Sequence, residues 1–204
     1  MPKGHLFVIS APSGAGKTSL VNALMEYTEQ LHTSISYTTR PKREGEENGK
    51  NYHFIDRQTF LSMQNAGDFL EFAEVFGNFY GTSKNALTAD LADGNDVILE
   101  IDWQGAEQVK KAFPNATSIF ILPPSRDALL DRLKTRATDS DDVIMRRTAE
   151  AITDMSHYPA FDYLVINDDF DTALLETQSI ILSFRLKTPR QYANQTALLD
   201  ELLA

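Results

Sequence analysis

Ala11, Pro12, Ser13, Gly14, Ala15, Gly16, Lys17 and Thr18 follow directly on the apolar run His5–Ser10. Their types and spacing fit one chemistry, the cradling of a polyphosphate. Glycines let consecutive backbone N–H groups curl around the anion, and the helix that follows turns its positive dipole end toward the same charge. Lys17 then reaches the β- and γ-phosphates, and Thr18 sets its hydroxyl on a magnesium ion. The opening glycine of the motif is replaced by Ala11, but Gly14 and Gly16 are in place. The apolar pattern Leu20, Val21, Leu24, Met25 supplies the amphipathic helix the motif needs after it. Strand, loop and helix in this order imply a nucleoside triphosphate ligand.

Two basic clusters accompany the loop: Arg40, Lys42 and Arg43, and then Arg132, Lys134, Arg136, Arg146 and Arg147. Either alone reads as solvated surface. Beside a phosphate loop the pair implies more than one phosphate to neutralise. The acidic pair Glu100 and Asp102, and Asn167 with Asp168, close two apolar runs.

Bulk properties narrow the class. The chain has 204 residues, 42% of them hydrophobic, enough for one domain with a sizeable core. It has no cysteine, which excludes disulfides and thiolate chemistry, and its four histidines lack metal-ligand spacing. A net charge of −10 repels a long nucleic acid backbone. No stretch approaches the ~20 apolar residues of a membrane span, and residues 1–5, Met-Pro-Lys-Gly-His, run into the first strand without the apolar region expected of a signal peptide. A cytoplasmic location is expected, with no membrane and no nucleic acid partner.

The elements that must position these groups are legible in outline. A helix is expected over 18–31 and a β segment over 33–38, followed by a polar loop over 40–51. Aromatic-rich runs at 52–55, 69–75 and 78–83, with a helical piece at 57–65, read as an inserted α+β lobe. Apolar strands at 96–102, 117–122 and 163–167 alternate with helical patterns, which implies a parallel sheet with helices on both faces. Such sheets bind ligands beyond the carboxyl ends of their strands, where the loop, the acidic pair and Asn167–Asp168 fall. A helical pair, 125–136 and 143–157, is joined by a polar segment, 137–142, expected to act as a lid. Residues 189–204 carry Leu198, Leu199, Leu202 and Leu203 in an amphipathic pattern, expected to pack on the core or against another subunit. A homo-oligomer is compatible with it.

The segment Ser36 to Tyr52, with Arg40 and Arg43 inside it, resembles the nucleoside monophosphate-binding signature of guanylate kinases. Phe69–Phe72, Tyr80–Thr82, Leu99–Gly105, Leu122–Ser125 and Ile166–Asp168 resemble further blocks of the family in the family's order. The resemblance implies an α/β P-loop nucleoside monophosphate kinase fold with a central five-stranded parallel sheet. It implies a core of about 1–35, 95–124 and 160–204, a GMP-binding lobe of about 36–90 and a lid of about 125–158. It further implies transfer of the γ-phosphoryl group of ATP to GMP, and to dGMP, giving ADP and GDP.

The same resemblance gives Arg40, Arg43, Tyr52 and Tyr80 the acceptor's phosphate, and Ser36, Glu71, Thr82 and Asp102 its base. Guanine offers N1–H and an exocyclic amine, which a carboxylate such as Glu71 accepts, and O6, to which the Thr82 hydroxyl can donate. By spacing alone, Glu71 is one more charge on a half-exposed strand. Glu100 is expected near the acceptor and near the magnesium's water shell, and Asn167 and Asp168 on the adenine side. Lys17, Arg132, Arg136 and Arg147 are the expected catalytic cations. The lid departs from the family's usual Arg-Gly-Arg-Gly run, reading Lys134, Thr135, Arg136, Ala137. Two alternatives are a guanylate-kinase-like interaction module without activity, which typically lacks an intact phosphate loop, and a kinase for another small phosphate ester.

Overall fold

The computed structural model describes residues 3–75, 77–135 and 141–204, with 135 and 141–147 described by backbone alone. Strand β1 (Leu6–Ser10) is buried throughout and leads through the phosphate loop into helix α1 (Lys17–Tyr27). That helix stops four residues short of the expected end, because Thr28 is extended and the chain must turn into β2 (Leu31–Thr33), whose pairing with the core sheet outcompetes another helical turn. The segment expected as one strand over 33–38 is divided. Thr33 ends β2, and Tyr37–Thr38 forms β3 in a different sheet, since here the chain leaves the core.

That second sheet also contains β4 (His53–Phe54), β5 (Phe69–Val75) and β6 (Asn78–Ser83), in the order β4-β3-β6-β5, with α2 (Arg57–Ala66) between β4 and β5. Phe60 of α2 packs face to face on Phe69 and Phe79, which fastens the helix to the lobe sheet. Helix α3 (Lys84–Ala92) returns the chain to the core through β7 (Asp96–Glu100), α4 (Trp103–Ala112) and β8 (Thr117–Leu122). Then come α5 (Arg126–Thr135), α6 (Asp141–Met155), β9 (Tyr163–Ile166) and α7 (Phe170–Arg185).

The core sheet runs β2-β7-β1-β8-β9, all parallel, as expected for five strands covered on both faces. Alternate residues of β1 serve the two faces. Phe7 and Ile9 join Leu20, Leu24 and Ile181 from α1 and α7, while Leu6 and Val8 join Leu87 and Val109 from α3 and α4. At the amino ends of the strands, the buried carboxylate of Asp96 accepts from Arg185 Nε at 2.8 Å, Arg190 Nη2 at 2.6 Å and the His5 backbone N–H at 2.8 Å. Burial lowers His5 to a pKa of about 4, and its ring stacks on Phe184 at 3.5 Å. The chain ends in two short helices, α8 (Thr188–Asn194) and α9 (Thr196–Leu203). Leu198, Leu202 and Leu203 lie exposed on the second, so the expected packing onto the core is not found.

Candidate active site

The phosphate loop lies at the carboxyl end of β1, the central strand. Gly14 and Gly16 have φ of 88° and 94°, in the left-handed region that glycine alone enters cheaply. Ala11 needs no such conformation, and its side chain packs on the core, which accounts for the missing first glycine. Lys17 opens α1 and donates from Nζ to Ile101 O at 3.1 Å. Burial lowers its pKa, while the carboxylates of Glu100, Asp102, Glu71 and Asp154 act in the opposite sense. Thr18 Oγ1 donates to Glu100 Oε2 at 3.2 Å.

Asn167 was expected to face the adenine; its side chain is instead buried and donates from Nδ2 to Ala15 O at 2.7 Å. A Cβ on Gly16 would come within 2.4 Å of that nitrogen, so loop and buttress are fitted to each other. Arg132 donates from Nη2 to Asn167 O at 2.9 Å, and its Nη1 is buried with no hydrogen-bond partner among the described residues. A cavity of about 480 Å³ opens over this arrangement, lined by Gly14, Gly16, Arg132, Asn167, Asp168 and Phe170. Its lining combines the two loop glycines, one cation in Arg132, the carboxylates of Asp131 and Asp168, and the exposed Phe170 ring.

On the lobe side, Glu71 and Thr82 are opposite each other across β5 and β6. Both are buried, and Thr82 Oγ1 donates to Glu71 Oε1 at 2.6 Å. The hydroxyl proton is thus directed at Glu71, whereas donation to a guanine O6 was expected; Ser36 Oγ, 3.4 Å from Thr82 Oγ1, is the other hydroxyl at this spot. Burial raises Glu71 to a pKa of about 7, with the Thr82 hydrogen bond opposing and Asp102 adding to the rise. Asp102 caps α4 by accepting from the Gly105 N–H at 2.8 Å.

The expected phosphate-binding residues are only partly assembled. The Arg40 guanidinium grips Glu46 in a two-pronged pair at 2.7 and 3.0 Å, which raises its pKa, and it lies 5.5 Å from the Tyr52 ring. Tyr52 and Tyr80 meet edge to face at 5.8 Å, and burial first, then Tyr80, pushes the Tyr52 hydroxyl up to about 12. Arg43 does not join them; its side chain is exposed. Glu100 sits nearer the loop, against Thr18, than the other acceptor residues. Arg136 lies outside the described residues, and Arg147 belongs to α6 at a position described by backbone alone.

Several participants escape sequence reasoning. Glu46, which orders Arg40, is one acid among several in a polar loop and gives no periodic signal. Trp103, the only tryptophan, stacks on His157 at 3.5 Å and donates from Nε1 to Asp154 Oδ1 at 3.1 Å, joining α4 to the end of α6. Gln108 of α4 brackets the backbone of Phe72, accepting from its N–H at 3.2 Å and donating to its carbonyl at 2.8 Å.

A phosphate loop at the end of the central strand, a helical pair beside it and an inserted lobe across from it define a P-loop kinase. The guanylate kinase family model matches residues 3–183. Guanylate kinases of Alkalilimnicola ehrlichii and Hahella chejuensis are each 56% identical to this chain, covering 98% and 100% of it and 98% of their own length. A crystal structure of guanylate kinase from Anaplasma phagocytophilum superposes with a TM-score of 0.78 at 34% identity, covering 93% of this chain and 90% of that one. The chain belongs to the guanylate kinase family. Shikimate kinase from Bacteroides thetaiotaomicron, at 14% identity and a TM-score of 0.50, shares the fold alone. Among the described residues, no helix is long and apolar enough to cross a membrane.

Proposed function

We propose that the phosphate loop and the inserted lobe carry out the guanylate kinase reaction from two sides: ATP is held by residues 11–18 under the 480 Å³ cavity, and GMP is held by the lobe. The observation that carries this is the buried Glu71–Thr82 pair, a desolvated carboxylate set against Gly105 of α4 and within electrostatic reach of Lys17. Thr82 satisfies only part of the carboxylate's accepting capacity, and guanine's N1–H and 2-amino group supply further donors; adenine presents a lone pair there. Asp102 and Ser36 flank the same edge. The acceptor's phosphate goes to Arg40, Tyr52 and Tyr80, with Arg43 swinging in from the surface. Residues 36–90 form this acceptor lobe, 125–158 the lid, and the remaining segments the core.

The attacking phosphate oxygen is already ionised, so the protein has no proton to abstract and the rate rests on alignment and charge neutralisation. Lys17, held at the loop by Ile101 O, follows the charge that develops on the transferring group. Arg132 lines the cavity and carries one buried, unpartnered nitrogen, and Arg136 and Arg147 join it from the lid. Asp168 and the Phe170 face take the adenine side, while Asn167 keeps the loop in shape.

Magnesium fits the donor set. Thr18 and Glu100 place a hydroxyl and a carboxylate 3.2 Å apart beside the loop, and among the described residues no cluster of three acidic or histidine side chains competes for the ion. Thr18 would hold it directly and Glu100 through water, the phosphates completing an oxygen shell. When bound, it neutralises charge across the β- and γ-phosphates. The reaction is expected in the cytoplasm.

An ADP-release assay with ATP, magnesium and a panel of GMP, dGMP, AMP, UMP and CMP tests the reading. Activity confined to GMP and dGMP is expected. Equal rates with AMP and GMP would remove Glu71 from base recognition, and no release with any acceptor would favour an inactive module.

A further inference from the structure

Helix α4 carries a glycine in its first turn, at a position where its backbone does not demand one. Gly105 is absent from the left-handed conformations found at Gly14 and Gly16, and glycine within a helix is unfavourable relative to alanine. Space is what the position requires. A Cβ at Gly105 would stand 2.6 Å from Glu71 Oε2 and 3.3 Å from Glu71 Cδ. The carboxylate therefore occupies the notch left by the missing methyl group.

Three residues further along the same face, Gln108 holds the backbone of Phe72, the residue after Glu71, through both its N–H and its carbonyl. Among the described residues strand β5 is the edge of the lobe sheet, so these outward groups have no neighbouring strand there, and Gln108 substitutes for one. Asp102, three residues before Gly105, caps the helix. Spacing of three keeps all three positions on one face of α4.

We infer that Gly105 and Gln108 are positioning residues for base selectivity: α4 acts as a template that fixes the depth of the Glu71 carboxylate, Gly105 by leaving it room and Gln108 by pinning the strand that bears it. This rests on the reading of Glu71 as the acceptor for guanine's N1–H and 2-amino group. Inosine monophosphate, which keeps N1–H and O6 but lacks the 2-amino group, is the comparison ligand. A carboxylate pushed out of its notch by Gly105→Ala no longer aligns with both donors, so the advantage of GMP over the inosine nucleotide shrinks. One charge-assisted hydrogen bond is worth roughly tenfold to a hundredfold in affinity.

Dissociation constants for GMP and inosine monophosphate, measured by calorimetry on the full chain without ATP, read this directly. Gly105→Ala should unfold at a temperature no lower than the native chain, because the clashing atom is the end of a flexible side chain and alanine favours the helix. Its preference for GMP should fall at least tenfold, and that of Gln108→Leu several-fold. A merely structural role would weaken both ligands equally. Glu71→Ala separates the two readings. If it leaves the preference intact, Glu71 does not read guanine and the inference falls with that assignment. If it abolishes the preference while Gly105→Ala and Gln108→Leu stay within twofold of the native ratio, the template role alone is overturned.

Discussion

Lowering the pH should weaken GMP binding through one residue, Glu71. Its pKa of about 7, raised mainly by burial, leaves it about nine-tenths ionised at pH 8 and about one-tenth ionised at pH 6. Only the ionised carboxylate accepts from both guanine donors, so affinity is full above the pKa of the free protein and is lost as pH falls through it. The apparent dissociation constant scales inversely with the competent fraction, which predicts about a tenfold rise between pH 8 and pH 6. The phosphate of GMP, with a second pKa near 6, adds only about twofold over this range. Calorimetry in buffers of differing ionisation heat should also show net proton release from Glu71 on binding near neutral pH. Glu71→Gln should bind more weakly throughout and keep only the phosphate's slope. Linkage supplies a second reading of the same group. A folded pKa above the usual 4.5 means that ionisation costs the unliganded fold up to about 3 kcal/mol, absent below pH 4.5 and complete above pH 7. The Glu71→Gln protein should therefore gain on the native chain in stability as pH rises from 5 to 8. A native-chain GMP affinity that stays flat from pH 6 to 8, or an equal slope in Glu71→Gln, would refute the reasoning.

Lys17→Ala should lower turnover by on the order of 10²–10³ or more, read by ADP release, with GMP affinity nearly unchanged. Gly16→Ala places a Cβ 2.4 Å from Asn167 Nδ2 at a φ of 94°; strain together with loss of the buried Asn167–Ala15 bond should cost ~2–4 kcal/mol in denaturant unfolding and weaken ATP binding. Asp96→Asn leaves Arg185 and Arg190 without their buried counter-charge and should cost ~3 kcal/mol in the same measurement, while kcat stays within about twofold because Asp96 opens β7 at the end remote from Glu100.

Motifs with fixed local geometry were readable from the chain alone. The phosphate loop is one, because strand, glycines and helix follow each other without interruption. Strand β8 is another, found over the expected residues 117–122 because its apolar run is bounded by turn residues on both sides. Where two sheets compete for one segment, as at residues 33–38, periodicity is silent, since both alternatives are extended. Side-chain commitments were the least legible. The buttressing of the loop by Asn167, expected only as an adenine-side residue, was not legible, because its partner Ala15 lies 152 residues away in sequence. Glu46 binding Arg40, and Gln108 standing in for a strand, are outcomes of tertiary approach that no local pattern encodes.

The strand order has a consequence for how the chain is made. Strand β1 emerges from the ribosome first, yet it sits at the centre of the sheet, and both its neighbours are translated much later: Leu6 pairs with Val97, and Phe7 with Thr117. At ~5–20 residues per second, its two edges stay open for roughly 5–20 s. During that time Leu6, Phe7, Val8 and Ile9, all buried in the finished molecule, form an apolar segment able to pair with any other exposed strand. The yield of folded protein therefore depends on what shelters residues 6–10 in the nascent chain, and slowing translation before residue 117 prolongs the hazard.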